Sequence, residues 1–506
     1  MKIFLGLFFT GSVFFCFAQK KTDPVLFGNS IKADNLQKHL YQIAGPAFEG
    51  RETATLGQQK AARYIEEYFK FLGLKPGNKD SFQYFFPVFK DSLISSDIQV
   101  NGQDFELDRD YQNRALSKSF SFSYGLSNVV FAGFGLSDSI RDDYKDVNVR
   151  GKIVLILGGF PSGYVQTQIT KKSFNSFAKV DAAMAHGAVA ILSIQEDFPR
   201  KKPLNDPDLM YRSYFREEIS PAFFYVSENI ARKIMGADYD LARRGPLRTK
   251  SYKADILISL CKHTQFLQSS DVLGFLEGGD LKDQLLVISA HYDHLGKKDS
   301  VIYFGADDDG SGTVSLLELA AAFSKAKAAG KGPRRSILFL ANSGEEKGLW
   351  GSEFYTDHPL YPLDKTTADL NIDMIGRKDT NRKQGDSNNY IYIVGDDKLS
   401  SDLHAISVAT NKKYTGLELD YKFNNPKDPL RIYYRSDHYN FARKGVPIIF
   451  YFDGIHADYH KATDTPDKIN YDLMVKRAQL VFYTAWEMAN REDMLKRDLP
   501  AVSEER

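Results

Sequence analysis

The chain opens its legible part with a helical rhythm. In LGQQKAARYIEEYFKFLGLKP the apolar positions Ala62, Ile65, Phe69 and Leu72 fall three or four residues apart, and the run stops at Gly73 and Pro76. Residues 29–76 are accordingly expected to be helical. From about 83 to 170 the pattern becomes that of strands: FQYFFPVF, SNVVFAGFGL and GKIVLILGGF, separated by Asp, Gly and Asn clusters. FAKVDAAMAHGAVAILSIQ predicts a helix followed by a strand, and the polar, proline-bearing stretch 201–220 predicts a loop. From residue 270 strands and helices alternate. DQLLVISAH, RRSILFLANS, ADLNIDMI, NNYIYIVG and VPIIFYFDG read as strands. SGTVSLLELAAAFSKAKAAG, a segment near 399–412 and MVKRAQLVFYTAWEMANRE read as helices. Near-continuous apolar strands between amphipathic helices predict an α/β fold with a mixed, mainly parallel sheet covered by helices on both faces.

Charge changes little in this picture. The 506 residues carry 66 basic and 65 acidic side chains, so neither nucleic acid nor an anionic membrane is expected as a partner. Two cysteines cannot build a disulfide framework or a cysteine-rich zinc site. Residues 1–18 have Lys2, an apolar run and Cys16-Phe17-Ala18 before Gln19. They predict a signal peptide cleaved after Ala18 and an exported, periplasmic or extracellular protein. The run is shorter than the ~20 residues a spanning helix needs, and no membrane span is expected. Cys261, left alone by that cleavage, is expected to be buried.

Candidate chemistry gathers at the ends of the apolar strands in the second half. His291 and Asp293 follow LLVISA; Asp307, Asp308 and Asp309 precede a helix; Glu345 and Glu346 follow ILFLANSG; Asp373 ends ADLNID; and His460 lies beyond PIIFYFDG. In open α/β sheets a site forms at the carboxyl ends of the strands, which would bring these distant groups together. Imidazole and carboxylate without thiolate suit zinc or another divalent ion in a catalytic site. One carboxylate can bridge two ions, and a remaining one can serve as base. In the His-x-Asp pair, Asp293 can receive the second ring N–H of His291. Each piece alone has a plainer reading: a surface pair, a helix cap, a solvated charge pair. Together, in this order, they point to a metal site.

At these residues the chain resembles the M28 family of co-catalytic zinc aminopeptidases. The motifs are AHYDHLG at 290–296, GADDDGSG at 305–312, SGEEKGLWGS at 343–352, NIDMIG at 371–376, SDH at 436–438 and YHKATDTPD at 459–467. The stretch from VVFAGFGL to AKVDAAMAHGAVAIL resembles a protease-associated (PA) domain. The resemblance implies a peptidase body at 19–97 and 253–495, an inserted PA domain at 98–252 and a polar tail at 496–506. It further implies two zinc ions per chain, although other divalent ions are possible, and hydrolysis of peptides from the N-terminus by a hydroxide held between the ions. His291 and Asp373 would hold one ion, Glu346 and His460 the other, and Asp307 would bridge them. Glu345 would be the base and Tyr433 a donor to the oxyanion. Asp293, Asp308, Asp437 and His438 would support these groups from behind. A cis peptide is implied after the bridging aspartate, at Asp307–Asp308. His294 is expected on the exposed side of its loop, and His460 is preferred to His456. A glutaminyl cyclase on the same fold, a carboxypeptidase or dipeptidase of the same family, for which Arg431 and Arg435 are the candidate anchors, and an inactive binding protein stay open. So does the oligomeric state.

Overall fold

The computed structural model describes residues 23–113, 120–164, 176–199, 210–211, 221–245 and 247–500. The expected leader and most of the 201–220 stretch lie outside these. One sheet runs through the molecule. One half of it has the order Glu418–Asp420, Tyr390–Val394, Ile448–Phe452, Thr366–Ile372, Leu281–His291, Arg335–Asn342, Lys250–Leu276. The four central strands are mutually parallel, and the Tyr390 and Lys250 strands flank them antiparallel. Alternate residues of each strand enter opposite cores. Leu286, Ile288, Ala290, Ile337 and Phe339 pack under the helices Ala33–Ile43, Gly312–Ala328 and Tyr471–Asn490. Leu285, Val287, Leu338 and Leu340 pack on the other side with Tyr355, Tyr392 and Phe441. Burial on both faces is why these strands read as continuous apolar runs. Among the described residues no helix is long and apolar enough to cross a membrane.

Beyond the Lys250–Leu276 strand the sheet continues through Phe122–Phe131, Ile153–Leu157, Ala190–Ile194, Ala222–Val226 and Tyr111–Asn113. These strands have cores of their own: Leu155, Leu192 and Phe224 on one face, Val154, Ile156 and Ile191 on the other. The expected boundaries, 97/98 and 252/253, fall inside two long paired strands, Gln83–Val100 and Lys250–Leu276. Ile98, Ile256 and Ile258 belong to the inserted core, whereas Val272 and Leu276 belong to the core under the parallel strands. The 27-residue strand also corrects the reading of Cys261, which is exposed. Tyr252, Ala254, Ile256, Ile258 and Leu260 take the inward phase, so residue 261 falls on the outward one.

The segment Pro46–Arg51 ties the amino-terminal helices to the sheet edge. Gly50 (φ +71°) passes so close to the carbonyls of Gly296 and Tyr303 that a Cβ would lie 2.3 Å and 2.4 Å from them. Arg51 is fully buried. Its Nε donates to the Tyr292 carbonyl (2.7 Å), Nη1 to those of Ile43 (3.0 Å) and Phe304 (2.8 Å), and Nη2 to that of Gly305 (2.9 Å). Burial brings the guanidinium down to about 10, against the pull of Asp293, Asp309, Asp308 and Asp464, so it stays charged at neutral pH. Replacing it strands four buried carbonyls at once. We expect Arg51→Ala to cost about 3–5 kcal/mol in denaturant unfolding. Lys60→Ala, which removes an exposed contact to the Ala47 carbonyl, should cost under ~0.5 kcal/mol. Trp350 and Trp486, the chain's two tryptophans, both lie outside the inserted cores, so intrinsic fluorescence reports this unfolding selectively.

Candidate metal centre

The parallel strands deliver their carboxyl ends to one edge. His291 is the last residue of its strand, and Asp373 follows Ile372 directly. The two glutamates lie past the end of Arg335–Asn342, in a turn whose Glu345 carbonyl accepts the N–H groups of Gly348 (2.9 Å) and Leu349 (3.0 Å). That turn lets neighbouring side chains face the same cleft, which a strand would forbid. His460 comes from the loop after Ile448–Phe452, with its backbone in the left-handed region (φ +57°).

Two groups form around Asp308. His291 Nε2 lies 3.3 Å from Asp308 Oδ1, 3.7 Å from Asp373 Oδ1 and 3.9 Å from Glu345 Oε2. His460 Nε2 lies 3.1 Å from Asp308 Oδ2 and 3.1 Å from Glu346 Oε2. Two ligand atoms each ~2.1 Å from one tetrahedral ion would be about 3.4 Å apart, so these separations fit a metal in each group. The hydrogen-bond inventory agrees: His291 Nε2, Asp308 Oδ2 and Glu346 Oε1 are buried without a hydrogen-bond partner. Electrostatics point the same way. Burial would lower His291, but Glu345, Asp373, Asp293 and Asp308 hold it well above its ordinary value. His460 is likewise pushed up to about 10, burial being outweighed by Asp308 and Glu346. Burial raises Glu345 well above the carboxylate range, with Glu346, Asp373 and Asp437 adding to it and His291 opposing. The cleft demands positive charge, and divalent ions on this nitrogen–oxygen donor set would supply it.

The structure corrects which aspartate is shared. Asp307 Oδ1 accepts the Gly376 N–H (2.7 Å), and its Oδ2 lies 3.3 Å from His456 Nε2. It braces two loops behind the centre. Asp309 Oδ1 accepts the N–H groups of Gly312 (2.8 Å) and Met374 (3.0 Å), capping the following helix. Asp308, expected as support, faces both imidazoles. The cis peptide is correspondingly at Asp308–Asp309, one residue later than expected. Asp464 accepts from the main-chain N–H groups of Asp307 (3.0 Å) and Asp308 (3.2 Å), fixing this segment against the His460 loop. It sits within a motif already noted, but nothing in its neighbours marks it.

Other positions differ in detail. His291 Nδ1 pairs with the main-chain carbonyl of Asp293 at 3.1 Å; the Asp293 carboxylate stands at 3.6 Å. Its oxygens are taken by the Thr53 hydroxyl (2.7 Å) and the Glu345 N–H (3.2 Å), so Asp293 holds the glutamate turn in place. Asp437 accepts from the Ser352 hydroxyl at 2.5 Å, and burial pushes it up to about 7. His438 is far from a ligand role. It pairs with the Tyr433 carbonyl (2.8 Å), stacks on Phe450, and burial lowers it to about 3. Tyr433 is buried in a cluster with Tyr434, Tyr439 and His438 and does not line the cleft. The tyrosine that does is Tyr459, beside Glu345, Asp308 and Asp373; its ring stacks on His460 at 3.9 Å. The tyrosine run at 433–434 masked that signal. Arg435 lines the same cleft and donates to the Tyr459 hydroxyl (3.1 Å), whereas Arg431 lies over the Tyr434 ring. His294 is fully buried, contrary to expectation, with Nδ1 2.8 Å from Glu346 Oε1. His456 supports Asp307.

The chain is similar to known proteins. Residues 271–485, which carry the sheet edge described above, match Peptidase family M28. A probable leucine aminopeptidase of Arthroderma otae is 29% identical over 214 residues, 41% of this chain and 55% of that protein. A vacuolar membrane protease of Saccharomyces cerevisiae is 35% identical over 105 residues, 21% of this chain and 10% of that protein. The chain thus spans about half the length, or less, of these relatives. In fold it is similar to an aminopeptidase from Aneurinibacillus sp. strain AM-1, with a TM-score of 0.55 at 18% identity, covering 95% of this chain and 99% of that one. A zinc aminopeptidase from Bacillus subtilis gives a TM-score of 0.50 at 19% identity, over 93% and 99%.

The assignment of Asp308 is directly testable by elemental analysis of purified protein. We expect Asp308→Asn to lose metal from both groups, because each depends on one of its oxygens. Asp307→Asn should retain metal and lose stability instead, about 1–3 kcal/mol for the disturbed buried contacts.

Proposed function

We propose that this chain is an exported zinc-dependent aminopeptidase that removes apolar residues from the N-termini of peptides, with two zinc ions per chain. The observation that carries this reading is the pair of imidazole–carboxylate groups sharing Asp308, with Glu345 facing the same cleft 3.9 Å from His291 Nε2. His291, Asp308 and Asp373 would hold one ion, and Asp308, Glu346 and His460 the other. When bound, the ions supply Lewis acidity: a polarised scissile carbonyl and a water made acidic enough to attack near neutral pH.

The chain's own groups do the rest. Glu345 takes the proton of the attacking water and passes it to the leaving amine. Asp293 fixes its backbone through the Glu345 N–H. Tyr459, its hydroxyl held by Arg435, is placed to donate to the carbonyl oxygen as charge develops there. The cleft is walled by Met374, Ile432, Phe450, Phe452 and Ile455, which favours an apolar side chain at the substrate's first position. That preference agrees with the name of the Arthroderma otae relative. The leader read at 1–18 supports export. Residues 98–252, with cores separate from the catalytic one, are proposed to be a protease-associated domain.

A panel of reporter peptides tests this reading. Leucyl reporters with a free α-amine should be cleaved at least tenfold faster than aspartyl ones, and N-acetylation should abolish cleavage. A chelator should stop the reaction and zinc restore it. Release of carboxy-terminal residues alone would favour Arg435 as a carboxylate anchor and a carboxypeptidase; cyclisation of N-terminal glutamine would favour a cyclase. Glu345→Gln should lower kcat by about 10²–10⁴ with metal content unchanged. Tyr459→Phe should lower kcat by about 10² with little change in KM.

A further inference from the structure

His294 directly follows Asp293, at a position the sequence pattern assigns to an exposed loop. The amino-terminal segment turns it inward. Its N–H donates to the Arg51 carbonyl (3.3 Å), and the chain there bridges in parallel to Glu52. Gly305, in the left-handed region (φ +54°), closes on the ring so tightly that a Cβ would lie 2.4 Å from His294 Cγ. The ring is therefore pressed towards the carboxylates with no freedom to swing out to water.

What it meets there is not a hydrogen bond. Nδ1 lies 2.8 Å from Glu346 Oε1 and 3.9 Å from Asp308 Oδ2. Yet neither ring nitrogen has a hydrogen-bond partner, and neither Glu346 Oε1 nor Asp308 Oδ2 has one. An imidazolium paired with Glu346 would align its N–H on the oxygen. Buried lone pairs converging without alignment are the arrangement of ligands around a cation. His460 approaches the same Asp308 Oδ2 and the other oxygen of Glu346, each at 3.1 Å, and the two rings stand at 68° with centroids 6.0 Å apart.

We propose that His294 is a further direct metal ligand, through Nδ1, at the site of Asp308, Glu346 and His460. The inference rests on the two-ion reading above. It makes the two sites unequal. The site of His294, Asp308, Glu346 and His460 would then offer an ion four protein ligands, whereas that of His291, Asp308 and Asp373 would offer three. One ion should be held tightly and the other exchanged readily.

The test uses the full-length protein. Zinc content is followed by elemental analysis during competition with a soluble chelator. Wild type should release one ion well before the second. In His294→Gln the tighter ion should weaken by at least ~100-fold, beyond the 10–100-fold typical of losing a supporting group. A cobalt-substituted wild-type sample gives a count that needs no variant: paramagnetically shifted, exchangeable imidazole N–H resonances should number three. Two such resonances, or unchanged zinc affinity in a His294→Gln protein with a native circular dichroism spectrum, would overturn the proposal while leaving the two-ion reading intact. Wild-type protein that binds no zinc would overturn both.

Discussion

Carboxylates buried side by side repel one another with less screening than in water, and the groups at this sheet edge answer that repulsion. The chain brings Asp307, Asp308, Asp309, Glu345, Glu346 and Asp373 to one place, and it treats them unequally. Asp307 receives the Gly376 N–H and the edge of His456. Asp309 receives two main-chain N–H groups at the start of a helix, where the helix's own field favours negative charge. Asp308 and Glu346 are offered imidazoles instead, and some of their oxygens are left with no hydrogen bond. Each of these four acids keeps one buried oxygen without a hydrogen bond, so what separates support from ligand is the company of the other oxygen: main-chain N–H groups for Asp307 and Asp309, imidazoles for Asp308 and Glu346.

Such a cleft holds its shape only if the loops that form it cannot relax apart. The parallel strands fix where those loops begin, but not how they lie. Arg51 supplies much of the remaining constraint, because its single guanidinium binds carbonyls on both the His291 and the aspartate segments. Thr53, two residues on, holds Asp293, which in turn holds the glutamate turn. The amino-terminal segment belongs to the catalytic body, although residues 98–252 separate the two in sequence.

The sequence made the architecture legible because burial on both faces writes itself as unbroken apolar strands, and because strand ends are where open α/β sheets place their chemistry. Among the three consecutive aspartates it could not discriminate. Their side chains differ only in the donors that distant segments bring to them, and Gly376, His456 and Met374 lie more than sixty residues away. His294 was misread for a similar reason: it directly follows Asp293, where alternation would turn it away from the site, and only the backbone contact to Arg51 and the pressure of Gly305 settle which way it turns. Tyr459 was hidden by more conspicuous tyrosines at 433 and 434. The outward placement of Cys261 was readable, since YKADILISLC alternates except at the exposed Leu257 and the cysteine takes the phase of Lys253, Asp255 and Ser259.

The same long strand that carries Cys261 shows why an insertion of this size is compatible with so constrained a site. The chain leaves along Gln83–Val100 and returns along Lys250–Leu276, and the two legs pair along their length with one register shift at Cys261/Lys262, Val100 lying opposite Ile256 and Gln83 opposite Val272. To the catalytic body the insertion is a loop whose ends are already closed, so its length adds little entropic cost. The returning leg also takes part in the site's support. Asp271 Oδ1 accepts the N–H of Ser343 (2.9 Å), and Ser269 and Ser343 share a hydroxyl contact at 2.8 Å, two residues before Glu345. The strand that anchors the insertion therefore braces the base of the glutamate turn. Any load on the insertion that shifted this strand along its register would reach Glu345 through two hydrogen bonds, not through the mobile surface of a linker.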